Sequence, residues 1–305
     1  MLSRVSHFVQ GDITCLDLIR YIFETEEIDT VLHFAAQSHV DNSFGNSIAF
    51  TSDNVLGTHV LLEACRLFSG QVKRFIHVSS DEVYGQAPLG DEFKGSFEID
   101  PLAPTNPYAA TKAAAEFLVK AYHASFKIPI IISRGNNVYG PRQYPEKLIP
   151  KFIHLLERDL PCPLHGGGKN LRSFVYVDDV VKAFEIILSF GVVGEIYNIG
   201  TPFEISTRDV FDTLVRLFGK QSQHEHLLEY VRDRPFNDIR YRIDTSKLEK
   251  LGWKATVAFE EGLQATIDWY KENPNYFGEI TPALSPHPRM SHSKILSSDS
   301  IASEI

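Results

Sequence analysis

One stretch, Val78 to Lys112, constrains what this 305-residue chain can fold into more than any other. The apolar run Phe75 to Val78 reads as a buried strand. It leads into Ser79-Ser80-Asp81-Glu82-Val83-Tyr84-Gly85, two hydroxyls and then two adjacent carboxylates. The ends of parallel strands are where open α/β sheets hold their ligands. After a polar loop, Asn106 and Pro107 have the chemistry of a helix cap and first helical residue, opening an Ala-rich helix. Tyr108 and Lys112, four positions apart in that helix, share one face.

The chemistry of that pair follows from side-chain properties. A free phenol titrates near ~10 and an ammonium near ~10.4. At ~4 Å and an effective dielectric of ~20, their attraction is roughly 4 kcal/mol before solvation losses. The expectation is a Tyr108 pKa lowered by at most ~3 units, into the range of a general base. Taken alone, Tyr-x-x-x-Lys is also the pattern of an ordinary surface pair, and Asp81-Glu82 that of an exposed turn.

The flanking sequence alternates strand and helix patterns. Strands are predicted over Val5–Val9, Thr30–Phe34, Lys73–Ser79, Pro129–Ser133 and Glu195–Gly200, and helices over Leu16–Glu26, Ile48–Phe68, Leu148–Glu157 and Ser206–Phe218. Gly57 lowers helix stability by about 1 kcal/mol against Ala and marks close backbone packing. Small residues at a strand end, Ala35 and Ala36, let another group approach the backbone. His165-Gly166-Gly167-Gly168 to Val175 reads as a hairpin, whose turn uses glycine for positive φ. Asp178 and Asp179 suit the first turn of a helix. Short helices are expected over Asp244–Leu251 and Glu260–Tyr270. From about Thr281 the chain is rich in Ser, Pro and His, which predicts a disordered tail over 280–305.

A net charge of -9 argues against a nucleic-acid face. Cys15, Cys65 and Cys162 have no metal-ligand spacing; a sparse, odd count fits a reducing compartment, and Cys15 and Cys65 read as buried thiols. No apolar signal core or membrane-length run is present, so a cytoplasmic protein without a membrane span is expected.

Ser-Ser-Asp-Glu-Val-Tyr-Gly followed by Tyr-x-x-x-Lys resembles the extended short-chain dehydrogenase/reductase family, and within it the nucleotide-sugar 4,6-dehydratases, above all those acting on dTDP-glucose. The resemblance covers roughly residues 5 to 272. It implies a Rossmann-like doubly wound parallel sheet with a smaller mixed α/β lobe: residues 1–145 in the NAD domain, 146–275 mainly in the substrate lobe with segments returning to the sheet. It implies NAD as cofactor, near Asp12, Ile13, Ala35, Ala36, Asn54, Tyr108 and Lys112. It places Ser38, Ser80, Asn137, Lys147, Arg172, Asn198, Arg234 and Asn237 against a nucleoside-diphosphate sugar, dTDP-glucose first and a UDP sugar as the alternative. A guanidinium at Arg172 or Arg234 suits a diphosphate because it binds phosphate oxygens in a fork. A homodimer through two helices flanking the site is the family expectation.

The implied chemistry assigns Tyr108, activated by Lys112, to the C4 hydroxyl proton, Ser80 to a hydrogen bond on the C4 oxygen, Glu82 to the C5 proton and Asp81 to the departing C6 hydroxyl. Two neighbouring carboxyls with opposite roles require pKa values pushed apart by environment. The Gly-x-x-Gly-x-x-Gly turn with which such folds hold a pyrophosphate is not in the sequence. The expectation is a shortened form lacking the first β-α-β unit, with exposed sheet edges and a weakened hold on NAD. Two alternatives stand beside this one: a nucleotide-sugar epimerase or decarboxylase, against which Asp81-Glu82 counts, and a non-catalytic binding protein.

Overall fold

The computed structural model describes residues 6–90 and 92–286. At its centre four parallel strands lie in the order Thr30–His33, Arg74–Ser80, Ile130–Gly135, Ile196–Ile199. Register aligns His33 with His77 and Ser80 with Gly135. The strands are rich in β-branched and aromatic residues, as a surface buried on both faces requires. Alternation sends Phe75 and Ile130 into a core with Ile19, Phe23, Leu61 and Val119. It sends Ile76 and Ile131 into a separate core with Ala183, Ile187 and Trp253. Helices therefore cover both faces, which makes the sheet doubly wound.

A third core joins the helices Leu148–Glu157, Thr207–Leu217 and Phe259–Glu272 to the parallel pair Cys162–His165 and Leu228–Val231. Phe152 and Phe211 meet there edge to face with centroids 6.1 Å apart. This second lobe stands beyond the C-terminal ends of the sheet strands and forms the far wall of the cleft described below.

Several expectations give way to the structure. Residues 6–9 form no strand, with Phe8 and Val9 exposed, while Val5 lies outside the described residues. A strand needs a partner for its hydrogen bonds; among the described residues Thr30–His33 is the sheet edge, and residues 6–9 have no strand beside them. The glycines at 166–168 turn the chain with positive φ at all three, but no hairpin follows. Cys162–His165 pairs with Leu228–Val231, Leu171–Arg172 with Ile205–Ser206, and Phe174–Tyr176 with Asn137–Tyr139. Thr281–Leu284 is a short helix, with Ile280 and Ala283 buried, in what reads as the start of a tail; residues 287–305 lie outside the described residues. Cys15 is exposed at the start of the helix Leu16–Thr25, whereas Cys65 and Cys162 are buried. Asp178 and Asp179 do lie in the first turn of the helix Val177–Phe190, and the Asp179 carboxylate also accepts from Lys182 of that helix and from the backbone of Thr256 and Val257.

The long helical segment 47–67 runs through a π-helical turn, Thr51–Leu56, into Gly57–Leu67. A Cβ on Gly57 would lie 2.5 Å from Ile13 Cδ1, so glycine is there to let Ile13 pack on the helix backbone. No helix among the described residues is long and apolar enough to cross a membrane.

Candidate active site

The strand Arg74–Ser80 ends in extended backbone at Ser80, and the chain then tightens into a 3-10 turn over Asp81–Tyr84. Ser80 Oγ accepts from the Glu82 amide at 3.3 Å, which satisfies one orphan donor of that turn. The turn swings the two carboxylates into different surroundings. Asp81 is buried; its Oδ2 accepts from Asn136 Nδ2 at 2.7 Å and its Oδ1 from Ser80 Oγ at 3.2 Å. Burial, and then the neighbouring Glu82 carboxylate, push Asp81 up to about 7. Glu82 is half-buried and faces the cleft, where its Oε2 accepts from Asn106 Nδ2 at 2.9 Å and lies 3.4 Å from Tyr241 OH, whose proton goes to Asp238 Oδ2.

Asn106 serves twice. Its Oδ1 caps the helix Pro107–Phe126 by accepting from the Ala109 amide at 2.8 Å, while its amide holds Glu82. The cap brings Tyr108 and Lys112, both buried, under the end of the strand. Lys112 Nζ donates to Val78 O at 2.7 Å. The Ser80 hydroxyl faces the Tyr108 phenol and favours its ionisation, but burial first, and then Glu82, raise the Tyr108 pKa well above its ordinary value. The expected lowering by Lys112 does not occur: its ammonium is held on Val78 O, and the cost of desolvating a phenolate outweighs the help from Ser80. Burial also brings Lys112 itself down to about 8.

Beyond Glu82 a cleft runs between the two lobes, lined by Ser38, Asn106, Asn137, Lys147, Lys151, Arg172, Arg234, Asn237 and Tyr241 among others. Arg172 lies over the Tyr241 ring, 5.0 Å from its centroid, and donates to Asn237 Oδ1 at 3.0 Å. Asn237 in turn donates to Asp233 Oδ1 at 2.9 Å. Lys147 Nζ binds Ser38 O across the cleft. Four cations on one concave wall, next to a carboxyl held near neutrality, suit a ligand with a polyanionic end and a reacting polar end.

The chain matches the GDP-mannose 4,6 dehydratase family over residues 2–266. The chain belongs to that family. It is 55% identical over 283 residues to a trifunctional UDP-glucose 4,6-dehydratase/UDP-4-keto-6-deoxy-D-glucose 3,5-epimerase/UDP-4-keto-L-rhamnose-reductase of Arabidopsis thaliana, a match covering 93% of this chain and 42% of the plant protein. It thus spans less than half the length of that relative. It is 48% identical over 284 residues to the dTDP-D-glucose 4,6-dehydratase of Homo sapiens, covering 92% of this chain and 79% of the human one. Among solved structures, the dTDP-glucose 4,6-dehydratase of Streptomyces venezuelae, crystallised with NAD, superposes with a TM-score of 0.83 at 38% identity, covering 89% of this chain and 81% of that one.

Within this family frame, the structure gathers most of the residues singled out in the sequence. Ser80, Asp81, Glu82, Tyr108 and Lys112 meet at one strand end, and Ser38, Asn137, Lys147, Arg172, Arg234 and Asn237 line the cleft beside them. Asn198 does not join them. It is fully buried, accepting from Tyr84 OH at 2.9 Å and donating to Ser96 O and Asp244 O, which leaves no side-chain group for a ligand. Asn54 is similarly engaged, with Gln37 and Thr111, and fastens the end of the first sheet strand to the Pro107–Phe126 helix. Asp12 is exposed and accepts from Thr14, while just past the edge strand Ala35 is exposed and Ala36 half-buried. The sequence reading missed Asn136, Tyr241, Asp41 and Lys151, and saw Asn106 only as a cap. Each acts through a partner far along the chain, a relation local patterns do not carry.

Proposed function

We propose that this chain is an NAD-dependent nucleotide-sugar 4,6-dehydratase, a lyase that removes water from a nucleoside-diphosphate glucose to give the 4-keto-6-deoxy sugar. The observation that carries the reading is the separation of two adjacent carboxyls: Asp81 buried and raised to about 7, Glu82 turned to the cleft as a hydrogen-bond acceptor. One is suited to give a proton and the other to take one.

The residues present fit the reactive end of NAD. Lys112 is a buried ammonium next to the strand end, Ser79 Oγ is buried without a hydrogen-bond partner among the described residues, and Ala35 and Ala36 leave the adjoining strand end open. When bound, NAD supplies a reversible acceptor for the C4 hydride. Among the described residues no Gly-x-x-Gly-x-x-Gly turn offers itself to the pyrophosphate. Tyr108 is the group placed to take the C4 hydroxyl proton while Ser80 holds the C4 oxygen; burial keeps the phenol neutral in the free chain, and the positive charge of bound NAD would favour the phenolate. The resulting carbonyl acidifies C5, and Glu82, steadied by Asn106, removes that proton. Asp81 protonates the C6 hydroxyl, which leaves as water; the hydride held by the cofactor would then return to C6 and the Glu82 proton to C5, giving the 4-keto-6-deoxy sugar with no net redox change. Arg172, Arg234, Lys147 and Asn237 hold the diphosphate and nucleoside.

Relatives named for UDP-glucose and for dTDP-D-glucose both match this chain, so both sugars are substrates to test, dTDP-glucose first. We place the protein in the cytoplasm, in keeping with its three free cysteines. A homodimer through the helices Gly57–Leu67 and Pro107–Phe126 is supported by exposed Leu67, Phe117 and Phe126. The deciding experiment follows the sugar by mass with NAD present. The wild-type chain should lose one water from the sugar. Glu82→Gln should oxidise C4 and stop there, and undiminished water loss in that variant would sink the assignment.

A further inference from the structure

The four cations of the cleft wall are not held alike. Lys147 donates to Ser38 O, Lys151 to Ser285 O at 2.8 Å, and Arg172 to Leu171 O and Asn237, all neutral acceptors. Among the described residues Arg234 alone of the four is ion-paired to a carboxylate, that of Asp41, with Nη2 3.3 Å from Oδ2. The pair joins the lobes: Asp41 sits on the short helix Val40–Gly45 of the first, and Arg234 follows the strand Leu228–Val231 of the second. Asp41 is 5% exposed, too buried for water to screen it.

A diphosphate entering this cleft meets a guanidinium already engaged by an anion. Phosphate oxygens match the guanidinium fork as well as a carboxylate does and carry more charge. A carboxylate released in so buried a place needs another cation. Lys151 supplies one, since it lines the same cleft and its charge already acts on Asp41.

We propose that Asp41 is an internal counter-ion, displaced from Arg234 by the substrate's diphosphate and received by Lys151, and that this exchange sets the cleft's affinity for nucleoside diphosphates. The proposal rests on the reading above that Arg234 meets the diphosphate. Asp41 is a positioning residue here, not a catalytic one.

The test is calorimetric titration of the full chain with thymidine diphosphate and with uridine diphosphate. Asp41→Asn should bind about 5-fold to 20-fold more tightly than wild type, and Arg234→Ala about 10-fold or more weakly. In the double variant the gain from Asp41→Asn should vanish, because its beneficiary is gone. Unchanged or weaker binding by Asp41→Asn overturns the proposal, since a mere support for Arg234 would lose affinity on removal. If Arg234→Ala binds as wild type does, the diphosphate reading itself fails, and the proposal with it. A crystal structure of the wild-type chain with either diphosphate needs no variant to fold. Arg234 on phosphate with Asp41 turned to Lys151 is the expected result, and an intact Asp41–Arg234 pair beside bound ligand refutes the exchange.

Discussion

At the scale of single residues, burial decides more than sequence proximity does. Lys112 is one helical turn from Tyr108, but its ammonium is held on Val78 O at 2.7 Å. Desolvation costs several kcal/mol per buried ion, and Glu82 adds repulsion, so the phenol is raised instead. The same physics gives Asp81 its role. With its carboxyl raised to about 7, it is protonated below that pH and loses its proton above it. The water-loss step should therefore fall off as pH rises through about 7. Asp81→Asn should slow that step by about 10²-fold to 10⁴-fold and abolish this alkaline limb. A pH profile of dehydration in the two proteins checks both; a limb near 7 that survives in the variant would assign it to another group.

At the scale of elements, the helix Pro107–Phe126 is joined to the strand Ile130–Gly135 by an ion pair with almost no solvent contact. Arg134 Nη2 lies 2.7 Å from Glu116 Oε2, the side chains being 1% and 0% exposed. Arg134 also donates to Glu98 O at 3.2 Å and lies over the Tyr84 ring at 4.6 Å. Removing one partner leaves a charge buried alone, so Glu116→Ala should destabilise the fold by about 3–5 kcal/mol. Lys73–Asp29 is the contrast, with side chains 76% and 52% exposed, and Lys73→Ala should cost under about 1 kcal/mol. Denaturant unfolding of the two variants measures the difference; equal costs would mean that water reaches Arg134.

At the scale of the whole molecule, three histidines are folded away uncharged. His33 and His39 are lowered to about 3 and His77 well below its usual value, in each case chiefly by burial. The rings of His33 and His77 lie 5.4 Å apart on neighbouring strands. Between about pH 6.5 and 3 the unfolded chain binds a proton at each of them and the folded chain does not, so stability falls as pH falls. The slope is about 1.4 kcal/mol per pH unit for each histidine. Asp81 works the other way from about 7 downward, since its folded form holds the extra proton, and offsets about one histidine. The denaturant midpoint should drop steeply below pH 6 and less steeply in His77→Phe; a flat profile would show that these rings are solvated.

What the sequence determined by itself is local. The strand ending in Ser80, the carboxylate turn, the Asn106 cap and the Tyr108–Lys112 face depend on periodicity and on neighbours within a turn or two, and each stands where those patterns put it. Tertiary structure decided what each side chain meets. The strand after Leu160 pairs with residues 228–231 instead of folding back on its neighbour. Asn198 is taken by Tyr84, Asp81 is buried against Asn136, and Asp41 finds Arg234 across 193 positions of chain. Pairing, burial and charge are set by distance in space, and a linear pattern carries that distance only as far as one helix or one strand extends.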